Sequence, residues 1–135
     1  MAQLDFAFLC DHARVEGGVV HVIAGAMDTI YAPSMPWGQN IGLVARFTFT
    51  RNESGRPHRL EVIVQDTDGA TTAKIEGTVG AEWMEDLPPG WPVGALVALN
   101  FGIPLPNYGL YSVEILLNDS SVKSLNLRVI PPPQA

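Results

Sequence analysis

The most reactive side chains of the sequence lie together near its start, in the run Cys10-Asp11-His12. A thiol beside an imidazole can become a thiolate nucleophile, and residues two apart on a strand share a face. Catalysis also needs a base within reach of the sulfur and a third group that orients it, but Asp11 would point to the opposite face. We therefore expect a buried structural cysteine, an exposed histidine and no catalytic residues.

Two histidines could meet across a hairpin in the same region. A turn centred on Glu16-Gly17 would pair His12 with His21, whereas a turn at Gly17-Gly18 would pair Arg14 with His21. Two imidazoles and the nearby cysteine could ligate zinc, which normally takes three or four ligands, but no Cys-x-x-Cys or His-x-x-x-His spacing is present. We predict polar side chains on an exposed sheet face and no metal site.

Two acidic groups are the remaining candidates for chemistry. The run Asp66-x-Asp68-Gly69 is similar to part of a calcium loop but lacks the later oxygen ligands, so a tight turn explains it. Carboxylates beside aromatic rings can hold or cleave sugars, and such a group falls in one loop that contains Glu82, Trp83, Glu85, Asp86 and Trp91. Glycosidases usually present their carboxylates from opposite sides of a cleft, so we expect no hydrolysis. Phosphate-binding and dinucleotide motifs are also missing, and we predict no cofactor.

The length and composition indicate one folded domain. The chain has 135 residues, of which 47% are hydrophobic and 16% charged, a balance that can bury a core. We place the domain at residues 1–130 and a proline-rich tail at 131–135. The formal net charge of −6 would repel a phosphate backbone, so nucleic acid is an unsuitable partner.

The compartment is inferred from what the sequence lacks. Cys10 is the only cysteine, so no intrachain disulfide can form, which fits a reducing cytoplasm. The first residues lack the basic and apolar regions of a signal peptide, and no apolar run is long enough to span a membrane. We expect a soluble cytoplasmic protein without a membrane partner.

Alternation with a period of two recurs between turn signals along the whole chain, which is typical of half-buried strands. With 13 glycines and 11 prolines for turns, we predict a first strand from residue 6 to the turn at residues 16–18. Further strands are predicted at residues 19–23, 41–50, 60–65, 70–79, 95–101, 111–117 and 125–129. Residues 27–31 form a short strand or a bulged continuation, and residues 32–40 form a loop because they contain two prolines. About seven to eight strands without helical crossovers predict an all-β, antiparallel, immunoglobulin-like β-sandwich.

Several of these segments together resemble a known family. The segments are Leu9–Ala13, the return strand at 18–25, the Asp28-x-Ile30-x-Ala32-Pro33 step and the closing strands around Tyr111–Ile115 and Leu127–Val129. The sequence is similar to a family of small uncharacterised bacterial domains of about this length. The resemblance implies a bacterial β-sandwich. It implies no established activity and no functional residues.

Binding is the function that remains. Three tryptophans in proline-bearing loops could anchor a partner or cap the sandwich, and with a nearby tyrosine they give the candidate partner-binding residues Trp37, Trp83, Trp91 and Tyr31. Outward positions are also apolar and could support a sheet-to-sheet dimer: Val44, Ile63, Leu116 and Ile130. We predict a non-catalytic protein-interaction or self-assembly module that uses a sheet face, an edge strand or the tryptophan loops. A small-ligand or carbohydrate-binding module is the alternative.

Overall fold

The computed structural model describes residues 2–133, in which regular structure consists of ten β-strands. They are β1 (Gln3–Cys10), β2 (His12–Glu16), β3 (Val19–Ile23), β4 (Thr29–Tyr31), β5 (Trp37–Phe49), β6 (His58–Gln65), β7 (Thr71–Val79), β8 (Val93–Leu105), β9 (Gly109–Leu117) and β10 (Ser120–Ile130). The last two residues of the predicted tail, 134 and 135, lie outside the described residues. Nowhere in residues 2–133 is there a helix long and apolar enough to cross a bilayer.

The strands form two sheets that pack face to face and a separate hairpin. One sheet has the order β1-β5-β8 and the other β4-β10-β9-β6-β7, while β2 pairs only with β3 in the described residues. All pairs are antiparallel except β4 with β10. The predicted all-β, antiparallel sandwich is confirmed. The structure has ten strands because β2 is separate from β1 and β4 is separate from β3.

One main core joins the two sheets, and the alternation in the sequence identifies its inner positions correctly. Side chains predicted to face inward are buried on both β5 and β9: Leu43, Ala45, Phe47, Phe49, Tyr111, Val113, Ile115 and Leu117. Burying one large apolar side chain contributes roughly 1.5–3 kcal/mol. The facing rows of these two strands therefore stabilise the association of the sheets.

Strand β5 is longer than predicted. The expected loop at residues 32–40 is wrong for its second half, because the ladder with β8 runs from the pair Trp37–Leu105 to the pair Phe49–Val93. Both prolines of that loop precede Trp37, so none of residues 37–40 lacks an amide donor. Pairing with a strand far along the chain extends β5 beyond what the local sequence indicates.

The β2–β3 hairpin covers part of the outer face of the three-stranded sheet. Gly17 and Gly18 occupy its turn with φ of 61° and 78°, and Arg14 consequently pairs with His21. A second apolar cluster lies beneath the hairpin, in which Val44 is 0% exposed. The expectation that Val44 lies on a free outer face is therefore wrong, since a separate element of the chain buries it.

A buried histidine links the loop after β5 to the turn after β9. The His58 Nε2 lies 2.8 Å from the Glu53 carbonyl oxygen, which can only accept, so Nε2 donates. The Nδ1 atom is then free to accept from Asn118 Nδ2 at 3.0 Å. The Asn118 Oδ1 accepts from the Arg59 amide at 3.0 Å. One asparagine thus satisfies a buried imidazole and a strand amide.

We predict that Asn118→Gly lowers the free energy of unfolding by about 1–3 kcal/mol, because it leaves the imidazole nitrogen and the Arg59 amide without partners. Glycine is the appropriate replacement since Asn118 has a φ of 51°. Urea unfolding followed by fluorescence measures the change.

The matched control is Asp119→Gly in the same turn, where φ is 69° and the side chain makes an exposed ion pair with Arg59. This change should cost less than about 1 kcal/mol. Equal losses for the two variants would contradict a special role of the Asn118 amide.

Candidate partner-binding site

The four predicted partner-binding residues do not form one surface. Trp37 begins β5 and Tyr31 ends β4, beside the last residues of β10. Trp83 and Trp91 lie in the loop between β7 and β8, at the other end of β5. Since β5 has 13 residues and a strand rises about 3.3 Å per residue, the two pairs are separated by the length of the sandwich.

Two of the three tryptophans pack against the core. Trp37 is half-buried and donates from Nε1 to Gln39 Oε1 at 3.0 Å. Trp83 is also half-buried, and the Arg51 guanidinium lies 5.7 Å from the centre of its ring. Trp91 is 59% exposed. Trp37 and Trp83 therefore cap the sandwich, and only Trp91 is free to act as a surface anchor.

Tyr31 lies in a different apolar area. It is 56% exposed on the edge strand β4, where it pairs with the exposed Ile130. Of the other outward apolar residues, Ile63 and Leu116 are half-buried on the outer face of the five-stranded sheet, where Ile63 is flanked by Lys74 and Glu114. That face is too charged to serve as a broad apolar dimer surface.

The Cys10-Asp11-His12 run is not assembled for catalysis. The strand breaks at Asp11, so Cys10 is 0% exposed while His12 is exposed on the hairpin, and the expectation of a shared face is wrong. Burial raises the pKa of the Cys10 thiol, and the negative charge of Asp11 raises this pKa further. A raised pKa disfavours the thiolate that a nucleophile needs.

Neither metal hypothesis gains a complete ligand set. Within residues 2–133, no three His, Cys, Asp or Glu side chains come together in a way that could hold an ion. The Asp66 carboxylate instead accepts from the amides of Asp68 and Ala70 at 2.9 and 3.0 Å, and Gly69 has a φ of 83°. The acidic run at 66–69 is therefore a hairpin turn.

An extended concave surface follows the facing edges of β7 and β8. Three depressions of about 590, 260 and 70 Å³ meet there, and Thr78 lines all three. We call this continuous depression the edge groove. Its walls are Thr78 and Val79 of β7, Gly80 directly after β7, residues 95–98 and Asn100 of β8, and Ala13, Arg14 and Val15 of the hairpin.

The smallest part of the edge groove opens between the sheets. Its volume is about 70 Å³, and Ile75 of β7 meets Val97 and Leu99 of β8 there. These three side chains are only half-buried, because no further strand covers them on this side. An apolar side chain that entered from outside could contact the main core.

Asn100 attaches the hairpin beside this groove. Its side chain accepts from the Ala13 amide at 3.0 Å and donates to the Ala13 carbonyl oxygen at 2.7 Å, as a neighbouring strand would. Asn100 belongs to a row of three residues that pair with one another across the three-stranded sheet: Cys10 of β1, Gly42 of β5 and Asn100 of β8. A Cβ at Gly42 would lie 2.6 Å from Cys10 Sγ and 3.0 Å from Asn100 Oδ1, so this position requires glycine.

Three of the four outer strands carry features that discourage pairing with another chain. On β1, a bulge surrounds Asp5, which pairs with Arg46 at 2.9 Å. Strand β4 is only three residues long, and Pro33 follows it closely. On β7, Lys74 and Glu76 point outward. Each edge therefore has a charge, a bulge or a short length.

The fourth outer strand, β8, lacks such protection along its middle. The run Ala95–Leu99 contains five uncharged residues and no proline. Among the described residues, β5 is the only strand that pairs with β8, and no other backbone hydrogen bond reaches residues 93–105. Unpaired amide and carbonyl groups thus line the floor of the edge groove.

Charged side chains are concentrated on the β7 side. Lys74 Nζ lies 2.9 Å from Glu76 Oε1 and 3.5 Å from Glu61 Oε2, and Arg59 also contacts Glu76. The hydrogen bond with Glu76 raises the pKa of Lys74, and the same contact lowers the pKa of Glu76. Both groups are fully charged near neutral pH.

Sequence reasoning did not identify the edge groove, although one signal for it was present. The uncharged run in β8 is visible in the sequence, but it would be equally suitable for a central strand. The order of strands in the sheet decides between these cases, and that order depends on long-range pairing.

Comparison with known proteins places the chain in a family. The model of DUF6941, a family of unknown function, matches residues 5–130. The chain belongs to this family. The DUF6941 match covers β2 to β10 and most of β1, which confirms the resemblance to small uncharacterised domains. Among solved structures, the chain is similar to an immunoglobulin-like protein from Pseudomonas aeruginosa, with 14% identity, 96% coverage of each chain and a TM-score of 0.42. No curated protein matches this DUF6941 member.

We predict that Asn100→Asp loosens the hairpin, because a carboxylate cannot donate to the Ala13 carbonyl and repels it. The buried Cys10 thiol reports the change, since it lies in the cluster beneath the hairpin. Its reaction with a disulfide reagent should be slow in the unaltered protein and at least roughly tenfold faster in the variant, if about 1.4 kcal/mol of attachment is lost.

Asn126→Asp is the control, because it makes the same change on the exposed face of β10. It should leave the rate of thiol modification unchanged. If both variants react at the rate of the unaltered protein, the Asn100 contacts do not hold the hairpin.

Proposed function

We propose that this protein is a non-catalytic protein-interaction module that binds an extended segment along the open edge of β8. The bound segment would add a strand to the three-stranded sheet and lie in the edge groove. In this mode of recognition, main-chain hydrogen bonds supply affinity and the pockets for alternate side chains supply specificity.

The observation that carries the proposal is the contrast between β8 and the other outer strands. Residues 95–99 offer unpaired backbone groups without a charged side chain to oppose pairing, whereas the other edges carry charges, a bulge or a short length. Natural sheets usually protect long apolar edges, so an unprotected one supports a binding role.

The groove also has places for the side chains of an added strand. Inward-pointing side chains would meet Ile75, Val97 and Leu99 in the opening between the sheets. Outward-pointing ones would lie between β8 and the hairpin residues Arg14 and Val15. This arrangement favours a segment with an apolar side chain at every second position.

Two features support a non-catalytic role in a reducing compartment, which is part of the proposal. The single thiol is buried with a raised pKa, and it is separated from His12 by the break at Asp11. A buried free cysteine without a disulfide partner suits a cytoplasmic protein.

We expect the protein to bind a short labelled peptide of alternating valine and threonine, and Leu96→Glu to weaken this binding roughly tenfold or more. Leu96 lies on the outer side of the β8 edge, where a carboxylate would lose water when a strand is added. Fluorescence anisotropy measures the affinity. A peptide with proline at the alternate positions serves as the negative probe, because it cannot complete the ladder.

Leu110→Glu is the matched control, because this leucine is exposed on the face of β9, away from the groove. It should bind the peptide as the unaltered protein does. The assay uses protein diluted until sedimentation velocity shows a monomer, so that the groove is open. Binding that survives Leu96→Glu, or the failure of the monomeric unaltered protein to bind the peptide, would overturn the proposed function.

A further inference from the structure

We propose that the extended segment received by the edge groove is the same edge of a second copy of this chain, so that the protein forms a two-fold symmetric dimer through β7 and β8. This inference rests on the proposed function and names its partner. It differs from an apolar sheet-face dimer, because the contact lies at the sides of the two sheets.

The position of the two open edges permits one axis to serve both sheets. Ile75 of β7 and Leu99 of β8 line the same opening of about 70 Å³, so the two edges lie one above the other. A two-fold axis that passes through this opening, perpendicular to the sheets, would place β7 beside its copy and β8 beside its copy. Both pairs would be antiparallel, and the two sandwiches would become continuous.

The charges on β7 favour this arrangement in one register. If the axis passes Ile75, antiparallel pairing places Lys74 of one copy opposite Glu76 of the other, and the reverse contact forms on the far side of the axis. Both side chains point outward from the same face of β7. Opposite charges directly across a ladder stabilise the pair, and like charges destabilise it.

The same two residues explain why β7 would pair with its own copy and not with strands in general. Charged side chains on an edge discourage arbitrary strand addition, since most partners would leave them without a counter-charge. A copy of β7 supplies both counter-charges at once. Specificity thus comes from a sequence in which Lys and Glu are equally spaced about Ile75.

On the β8 side, the dimer would cover the part of the core that the monomer leaves accessible. Val97 and Leu99 are half-buried beside the opening, and their copies would approach from the other side of the axis. The run Ala95–Leu99 has no charge that this contact would desolvate. The burial of apolar side chains at β8 and the ion pairs at β7 would together stabilise the dimer.

The test uses two charge reversals, Lys74→Glu and Glu76→Lys, and measures association by sedimentation velocity over a range of concentrations. We expect the unaltered protein to dimerise. Each variant alone places like charges opposite each other twice in the dimer, so its dissociation constant should rise roughly threefold to tenfold. Both variants lose the exposed intramolecular pair, which has little effect on folding. Lys74→Glu also loses the contact with the buried Glu61 carboxylate, so the stability of this variant is measured alongside its association.

An equimolar mixture of the two variants is the decisive sample. One copy then carries glutamate at both positions and the other carries lysine at both, so every contact across the axis is again between opposite charges. The mixture should dimerise more tightly than either variant alone and approach the unaltered protein. Repair by mixing cannot arise from an effect within one chain. Unchanged circular dichroism spectra establish that the variants fold.

Three results would overturn the inference: an unaltered protein that stays monomeric at millimolar concentration, a dimer that neither reversal weakens, or a mixture no tighter than its components. The failure of the proposed function is distinct from these results. If the protein is a monomer that binds the valine-threonine peptide, and Leu96→Glu abolishes this binding, the proposed function stands. Only the inference that the partner is a second copy is then refuted.

Discussion

The ladder between β5 and β8 is the contact on which most of the molecule depends. It joins thirteen residues of each strand in one continuous register. That register turns Leu43, Ala45 and Phe47 toward the main core and places Gly42 beside Asn100, where the hairpin is attached. Because side chains alternate along a strand, a shift of one residue would reverse the faces and remove the hairpin contact together with the core. The same ladder leaves the second edge of β8 free.

Much of the fold follows from local sequence, and particular residues show why. Alternation identifies the inner rows of β5 and β9, and glycines 17, 18 and 69 mark turns that the structure contains. Val44 shows where this reasoning ends. Its position opposite the core row is correct, but a hairpin formed by residues 12–23 buries it. Alternation assigns a side chain to a face and does not reveal what lies against that face.

The candidate site could be predicted less well than the fold. Aromatic residues in loops suggest anchors, yet Trp37 and Trp83 pack against the core and the remaining candidates lie at opposite ends of the sandwich. The edge groove depends on which strands end each sheet, and β7 and β8 are neighbours in sequence that belong to different sheets. The uncovered edges of β7 and β8 lie together only because the two sheets pack face to face.

The separation along the chain of β5 and β8 also bears on how the protein folds. Trp37 meets Leu105, so β5 can complete its ladder only after residue 105 has been synthesised. Until then, the apolar residues of β5 lack one of their two neighbouring strands, and contacts between distant segments form slowly because a long loop must close first. Partly folded chains that expose such strands tend to aggregate. For this protein, the apolar residues of β5 are therefore open to aggregation until β8 docks.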